Sequence, residues 1–228
     1  MKTVINLVLA ICVVALIYIC YGSIMGPINF EKEKGIREKA IITRLIDIRK
    51  AQQEYRTMHH GAYTDNFDTL IAFVKTAKLP FIMKVGTLTD DQLNSGMTEQ
   101  KAMDLINKAK RTGNWSEVEK QGLKDFRRDT MWVAVMDTIF EKGFNPDSLP
   151  YVPYGGGAKF QMQARRDTLE SGMPLNLFQA NVDYDVYLKG LNEQELNNLK
   201  DVQSKIGKYC GLKVGDIEQP NNNAGNWE

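Results

Sequence analysis

Residues 7–21 form an apolar run that no polar side chain interrupts, and between Lys2 and Glu31 the chain carries no charged side chain. Extended back to Val4, with Asn6 as its one polar residue, the run has 18 residues. As an α-helix that is about 27 Å, against a bilayer hydrocarbon core of roughly 30 Å. In lipid every backbone group must be satisfied within the segment, so helix is the conformation open to it. Leu7, Val8, Leu9, Val13, Val14, Leu16 and Ile17 are the expected membrane-anchor residues.

The competing readings are a cleaved secretory signal, for which Met1-Lys2-Thr3 is a minimal basic start, and a lipid anchor on Cys20. Both need small residues ahead of the cut. Ile17-Tyr18-Ile19-Cys20-Tyr21 supplies none, and Tyr21-Gly22-Ser23 is a weak alternative. An uncleaved signal-anchor is therefore expected. Lys32, Lys34, Arg37 and Lys39 outnumber Lys2, which counts toward a cytoplasmic C-terminal side. They lie well beyond the run, however, and are interleaved with Glu31, Glu33 and Glu38. The expectation is a single-pass protein of the inner (cell) membrane whose C-terminal domain is exported, periplasmic or extracellular.

Of 29 Lys and Arg one is Lys2, and the other 28 balance 28 Asp and Glu. A neutral domain of this kind has no electrostatic footprint for nucleic acid, which wants a basic face to displace counterions. Its length suits one sizeable core. Cys12 and Cys20 lie in the apolar segment, so Cys210 has no disulfide partner in the domain and reads as a small packed residue near a strand.

Residues 22–27, with Gly26-Pro27, read as a break after the anchor. A long amphipathic helix is expected over residues 31–59, with Ile41, Leu45, Ile48 and Tyr55 as its packing face, Gln52 in the same stripe, and Gly61 as its stop. Asp65 or Asn66 can cap a short helix carrying Leu70, Ile71, Phe73 and Val74, which Pro80 closes off. Residues 81–88 suggest a strand and 89–125 a helical insertion. Residues 131–140 lean toward a buried strand because Trp132, Val133 and Val135 are β-formers. Alternation at Phe160, Met162 and Ala164, a turn at Glu170-Ser171-Gly172, and alternation at Phe178, Ala180 and Val182 mark a hairpin. Asn192 and Glu195 form a capping pair for a helix over 193–208, residues 212–217 a last strand, and 219–228 a flexible tail. The class is α+β, in three parts: 1–30 anchor and break, 31–218 domain, 219–228 tail.

Catalytic and ligand signatures are sparse. His59 and His60 are the chain's two histidines, and adjacent helical positions do not make the i, i+4 pair of a zinc site. Asp183 and Asp185 would share a face, and could offer oxygens to a cation, if their strand ran that far. Gly155-Gly156-Gly157 with Lys159 lacks phosphate-loop spacing and reads as a flexible connection. No cofactor, metal or catalytic set is expected, and the chain reads as a non-enzyme. Trp227 is a candidate partner contact, since Trp is favoured where a partner's pocket buries it. Tyr151, Tyr154 and Trp132 would line a pocket if the domain held a ligand.

Ala40, Leu45, Ile48, Ala51 and Tyr55, followed by Gly61-Ala62-Tyr63 and Leu70, resemble the helix-to-loop passage of type IV pilins and type II secretion pseudopilins over residues 4–75. The resemblance implies an apolar N-terminal helix that continues as an amphipathic one, ends at Gly-x-Tyr and packs on an antiparallel sheet. The stripe on residues 31–59 asks independently for such a cover. The family's Glu within the apolar helix has no counterpart before Glu31, so the fold and an assembly role are implied rather than a filament. The expected function is a membrane-anchored structural or assembly component of a cell-envelope complex, with the bilayer and other envelope proteins or its own copies as partners. The alternative is an exported binding module for a peptide, glycan or small ligand.

Overall fold

The computed structural model describes residues 2–169 and 172–228, so Glu170 and Ser171 of the expected hairpin turn lie outside the described residues. In chain order the elements are α1 (Lys2–Met58), α2 (Phe67–Thr76), β1 (Lys78–Val85), α3 (Asp90–Asn94), α4 (Glu99–Thr112), α5 (Ser116–Lys120), β2 (Arg127–Ala134), α6 (Val135–Ile139), a 3₁₀ turn (Pro146–Ser148), β3 (Gln161–Thr168), β4 (Pro174–Asp183), α7 (Tyr184–Tyr187), α8 (Glu193–Lys205) and β5 (Gly211–Gly215). They form two compact units: Met1–Lys75 with Ile139–Glu228, and Thr76–Thr138. The class is α+β, with a long N-terminal apolar helix and small antiparallel sheets.

In the first unit β3, β4 and β5 make an antiparallel sheet with β4 central; Ala164 opposes Phe178, and Ala180 opposes Val214. One sheet face meets α1, and Ile41, Leu45, Ile48, Phe178, Ala180, Val182, Leu212 and Val214 share a buried core. Leu149, Tyr184, Tyr187 and Leu188 extend it. Asn66 Oδ1 caps α2, accepting from the Asp68 and Thr69 amides, and Asn192 Oδ1 does the same for α8 from Gln194 and Glu195.

Several expectations are corrected. α1 runs unbroken for 57 residues, about 85 Å of helix, through Gly26 and Pro27. Proline costs its own N–H bond, but the bonds of flanking residues carry the helix past it. At the far end the left-handed turn begins one residue before Gly61: His60 has φ 52° and Gly61 87°, and the Gly61 amide bonds back to the Arg56 carbonyl. Second, Pro80 does not close a helical unit but lies inside β1, which has β2 as its one partner and leaves an edge where a missing N–H is tolerated. Third, residues 219–228 are not a loose tail. The chain returns along β5, where the Gly215 amide donates to Ala224 O and the Asn226 amide to Lys213 O, both at 3.0 Å. The Asn226 side chain then accepts from the Lys213 amide and donates to Gly211 O.

In the second unit β1 and β2 form a two-stranded ribbon in register from Lys78 opposite Ala134 to Val85 opposite Arg127. The segment expected as one buried strand is divided: β2 ends at Ala134 and α6 follows, while Met131 is 50% and Trp132 63% exposed. Helices α3 to α5 have their own small core of Ala102, Ile106, Ala109, Val118, Leu123 and Phe126. Thr89 makes a reciprocal capping box with Gln92, Thr98 caps α4, and Gly113 in a left-handed conformation ends it.

Candidate functional site

The residues expected as a membrane anchor stand on one side of a sharp boundary in α1. Every residue from 5 to 24 is exposed, and these 20 residues span about 30 Å of helix, the thickness of a bilayer core. Leu7, Val14, Leu16 and Ile17 are more than 60% exposed, with Val8, Leu9 and Val13 beside them. The helix is long and apolar enough to cross a membrane. Its first fully packed residue is Phe30, and from there the same helix becomes the spine of the first unit.

The predicted packing positions divide into two sets. Ile41, Leu45 and Ile48 have no exposed surface and face the sheet. Tyr55 lies past the sheet contact: its ring stacks on His59 at 3.8 Å between centroids and meets Phe73 of α2 edge-on. Gln52, fully buried, clamps the loop after the helix; its Nε2 donates to Thr64 O at 2.6 Å and its Oε1 accepts from Thr64 N at 3.2 Å. Three arginines tie irregular chain to the helix flank. Arg37 donates to the carbonyls of Tyr187 and Lys189, Arg44 to that of Ser148, and Arg49 to that of Asn223 and to the Glu228 carboxylate. The cue for them was arginine recurring along one polar flank, beside the stripe that drew attention.

Between helix and α7, Glu38 accepts from the Tyr187 hydroxyl at 3.3 Å with Lys34 at 4.0 Å. Burial pushes the Glu38 carboxyl up, against the pull of Lys34 and the hydroxyl. The Tyr187 hydroxyl is also pushed up, by burial first and then by the Glu38 charge.

Residues singled out for chemistry are placed apart. β4 ends at Asp183, so Asp183 and Asp185 do not share a strand face: Asp183 accepts from the Tyr209 hydroxyl at 2.6 Å, and Asp185 pairs with Lys200 at 2.7 Å. Burial and that bond to Asp183 hold the Tyr209 hydroxyl above its ordinary range. The same hydroxyl accepts from Asn181, which reaches Gln161, so these groups satisfy one another instead of facing a ligand. The His59 ring donates from Nδ1 to Tyr55 O at 2.8 Å, while His60 occupies the left-handed turn. The glycine stretch is an ordered turn, closed by a Val152 amide bond to Ala158 O, with Lys159 over the Tyr151 ring. Tyr154 lies against Arg37. Cys210 packs at the core margin beside the Lys200 carbonyl. Trp227 is spent internally: it joins the core margin, and a Cβ on Gly225 would fall 2.4 Å from its ring, so the indole lies on that glycine.

Strands were expected over 81–88 and 131–140, but not the exposure of the ribbon they form. Phe81 is 62% exposed, Ile82 56%, Met83 40% and Val85 43%, joined by Met131 and Trp132. Consecutive apolar residues read as a strand buried on both sides, whereas here both faces are open. Compared with protein-family models, with curated proteins and with solved structures, the chain matches none of them.

Proposed function

We propose that this protein is a membrane-anchored, exported component of a cell-envelope assembly, pilin-like in the first unit, that works through protein–protein contacts and not through catalysis. The observation that carries the reading is the boundary in α1: 20 exposed, mostly apolar residues lead without interruption into a helix whose remaining length is the core of a domain. Exposed apolar area of that extent is stable in lipid and unstable in water. A continuous helix also fixes the domain to the membrane, since no loop separates the two. A long helix covered by an antiparallel sheet is the arrangement that the pilin and pseudopilin resemblance implies, and residues 76–138 are an addition to it.

The test is alkaline extraction of membranes from cells making the full chain, combined with protease treatment of spheroplasts. The chain should stay with the membrane at high pH and its domain should be degraded from outside. Release of the chain by alkali, or protection of the domain in intact spheroplasts with digestion after lysis, refutes the anchor or its orientation respectively.

A further inference from the structure

We propose that the loop between α7 and α8 is a seat for a phospholipid headgroup of the bilayer that α1 crosses, and that it takes a zwitterionic head with a primary ammonium beside the phosphate. The proposal rests on the membrane-anchor reading and names the lipid that the first unit meets at its membrane end.

A continuous helix measures depth at 1.5 Å per residue. Gly26 stands about 3 Å past Ile24, the last residue of the exposed stretch, and about 8 Å past Tyr21, the end of the unbroken apolar run. The headgroup layer is roughly 5–8 Å thick on each side of the hydrocarbon, so Gly26 lies within it by either mark. Exposure along the helix agrees. Ile24 is 62% and Ile28 52% exposed, one turn apart on one side, whereas Met25 and Gly26 are partly covered. Over Gly26 stands Asn192, whose Nδ2 would lie 3.8 Å from a Cβ built there. One turn further on, Phe30 is already in the core of the first unit. The α7–α8 loop therefore reaches the level at which the helix still turns isoleucine outward, and at that level it meets lipid heads.

From Lys189, whose carbonyl Arg37 holds at 3.1 Å, the loop runs back along α1 to Asn192 beside Gly26. A cavity of about 420 Å³ opens on it, lined by Asp185, Lys189, Leu191, Glu193, Leu196 and Asn197 and within the size range of small-ligand sites. Leu191 and Leu196 back it against the core. Asp185 is neutralised by Lys200 at 2.7 Å. Lys189 and Glu193 are then one charge of each sign, and neither enters an ion pair among the described residues. Asn192 Oδ1 is taken by the amides of Gln194 and Glu195, which leaves its Nδ2 to donate. A phosphodiester suits Lys189 and the Asn192 amide, and a primary ammonium on a short arm suits Glu193. A glycerol head brings Glu193 no positive charge, and a trimethylammonium has no N–H to give it. Such pairs gain strength as the dielectric falls toward the hydrocarbon.

The experiment uses the full chain with Cys12, Cys20 and Cys210 changed to Ser, in nanodiscs of equal parts phosphatidylethanolamine, phosphatidylglycerol and phosphatidylcholine. A fluorophore on Gln194→Cys should be quenched by a nitroxide on the lipid head at least threefold more than one on Thr57→Cys, which stands about 46 Å past Gly26 on the same helix. A fluorophore on Val14→Cys should be quenched by a nitroxide on the acyl chain. Native mass spectrometry of the released chain should show phosphatidylethanolamine retained roughly five- to tenfold over each of the other two lipids. Glu193→Gln should erase that preference, and Lys189→Gln should lower retention of phosphatidylethanolamine and phosphatidylglycerol alike. Millimolar soluble glycerophosphoethanolamine should displace nothing, because the bilayer presents the same head at higher local concentration. Equal retention of the three lipids, a preference that survives Glu193→Gln, or retention indifferent to Lys189→Gln overturns the seat. So does weak quenching at position 194 while position 14 is quenched, and the anchor then stands. Displacement by the soluble head assigns the cavity to a free solute and overturns the lipid. Absence of quenching at position 14 overturns the anchor reading and the seat with it.

Discussion

Replacing Gln52 by leucine should destabilise the first unit by about 1–4 kcal/mol. The wild-type amide occupies a site with no solvent and pairs with both groups of the Thr64 main chain, at 2.6 and 3.2 Å. Thr64 is itself only 8% exposed, so water cannot replace either bond. Each buried main-chain group left unpaired costs about 1–3 kcal/mol, and the apolar burial gained by leucine returns about 1–2 kcal/mol. Gln52→Glu separates hydrogen bonding from packing. An ionised carboxylate can accept from the Thr64 amide but opposes the Thr64 carbonyl; a protonated one restores the donor. Burial without a counter-ion raises its folded pKa, so stability is whole below the ordinary carboxyl value of about 4.3 and is lost as pH rises through the folded value. Urea unfolding of the full chain in detergent, with Trp115 and Trp132 changed to Phe so that Trp227 reports the first unit, measures both variants. A leucine variant within about 0.5 kcal/mol of wild type, or a glutamate variant whose deficit at pH 7 does not shrink on acidification, would refute the clamp.

Glu38→Gln should make the first unit more stable than wild type at pH 7, with the difference vanishing below the ordinary value of 4.5, because burial raises the folded carboxyl's pKa and its stabilising contribution fades as pH rises; thermal unfolding at pH 4 and pH 7 checks the sign. Trp227→Ala should cost about 2–3 kcal/mol and speed hydrogen exchange at the Gly215 and Asn226 amides, since the indole on Gly225 holds the returning chain against β5. Unchanged exchange at those amides would mean that the backbone bonds hold without it. Pro27→Ala restores a donor for the Ser23 carbonyl and should slow amide exchange around residues 23–30 in nanodiscs, because proline within a helix costs about 3 kcal/mol; equal exchange would show that the proline carries no cost here.

Periodicity made the buried positions legible where one face of an element meets one partner. Ile41, Leu45 and Ile48 follow the helical period and pack on Phe178, Ala180 and Val182, which follow the strand period. Caps were legible for the same local reason: Asn66 and Asn192 bond amides two and three residues ahead. Pro27 and Pro80 misled because each was weighed as a local breaker, while the helix on both sides of one and the free edge beside the other tolerate the missing donor. Trp227 and the residues 219–228 misled differently. Polar composition allows a loose tail, and nothing within those residues announces the free edge of β5 or the position of Arg49.

By itself, the amino-acid order determines an apolar helix of bilayer length, an amphipathic continuation that needs a cover, and a hairpin able to supply it. These depend on the side-chain period and on hydrophobicity, which neighbours along the chain fully specify. Tertiary structure decided that the apolar segment and the first unit share one uninterrupted helix, that the last residues close a sheet edge, that Asp183 and Asp185 face different partners, and that Phe81 and Met131 lie together in the open. Each depends on groups far apart in sequence meeting, or on an expected cover being absent from the surface, and local pattern records neither.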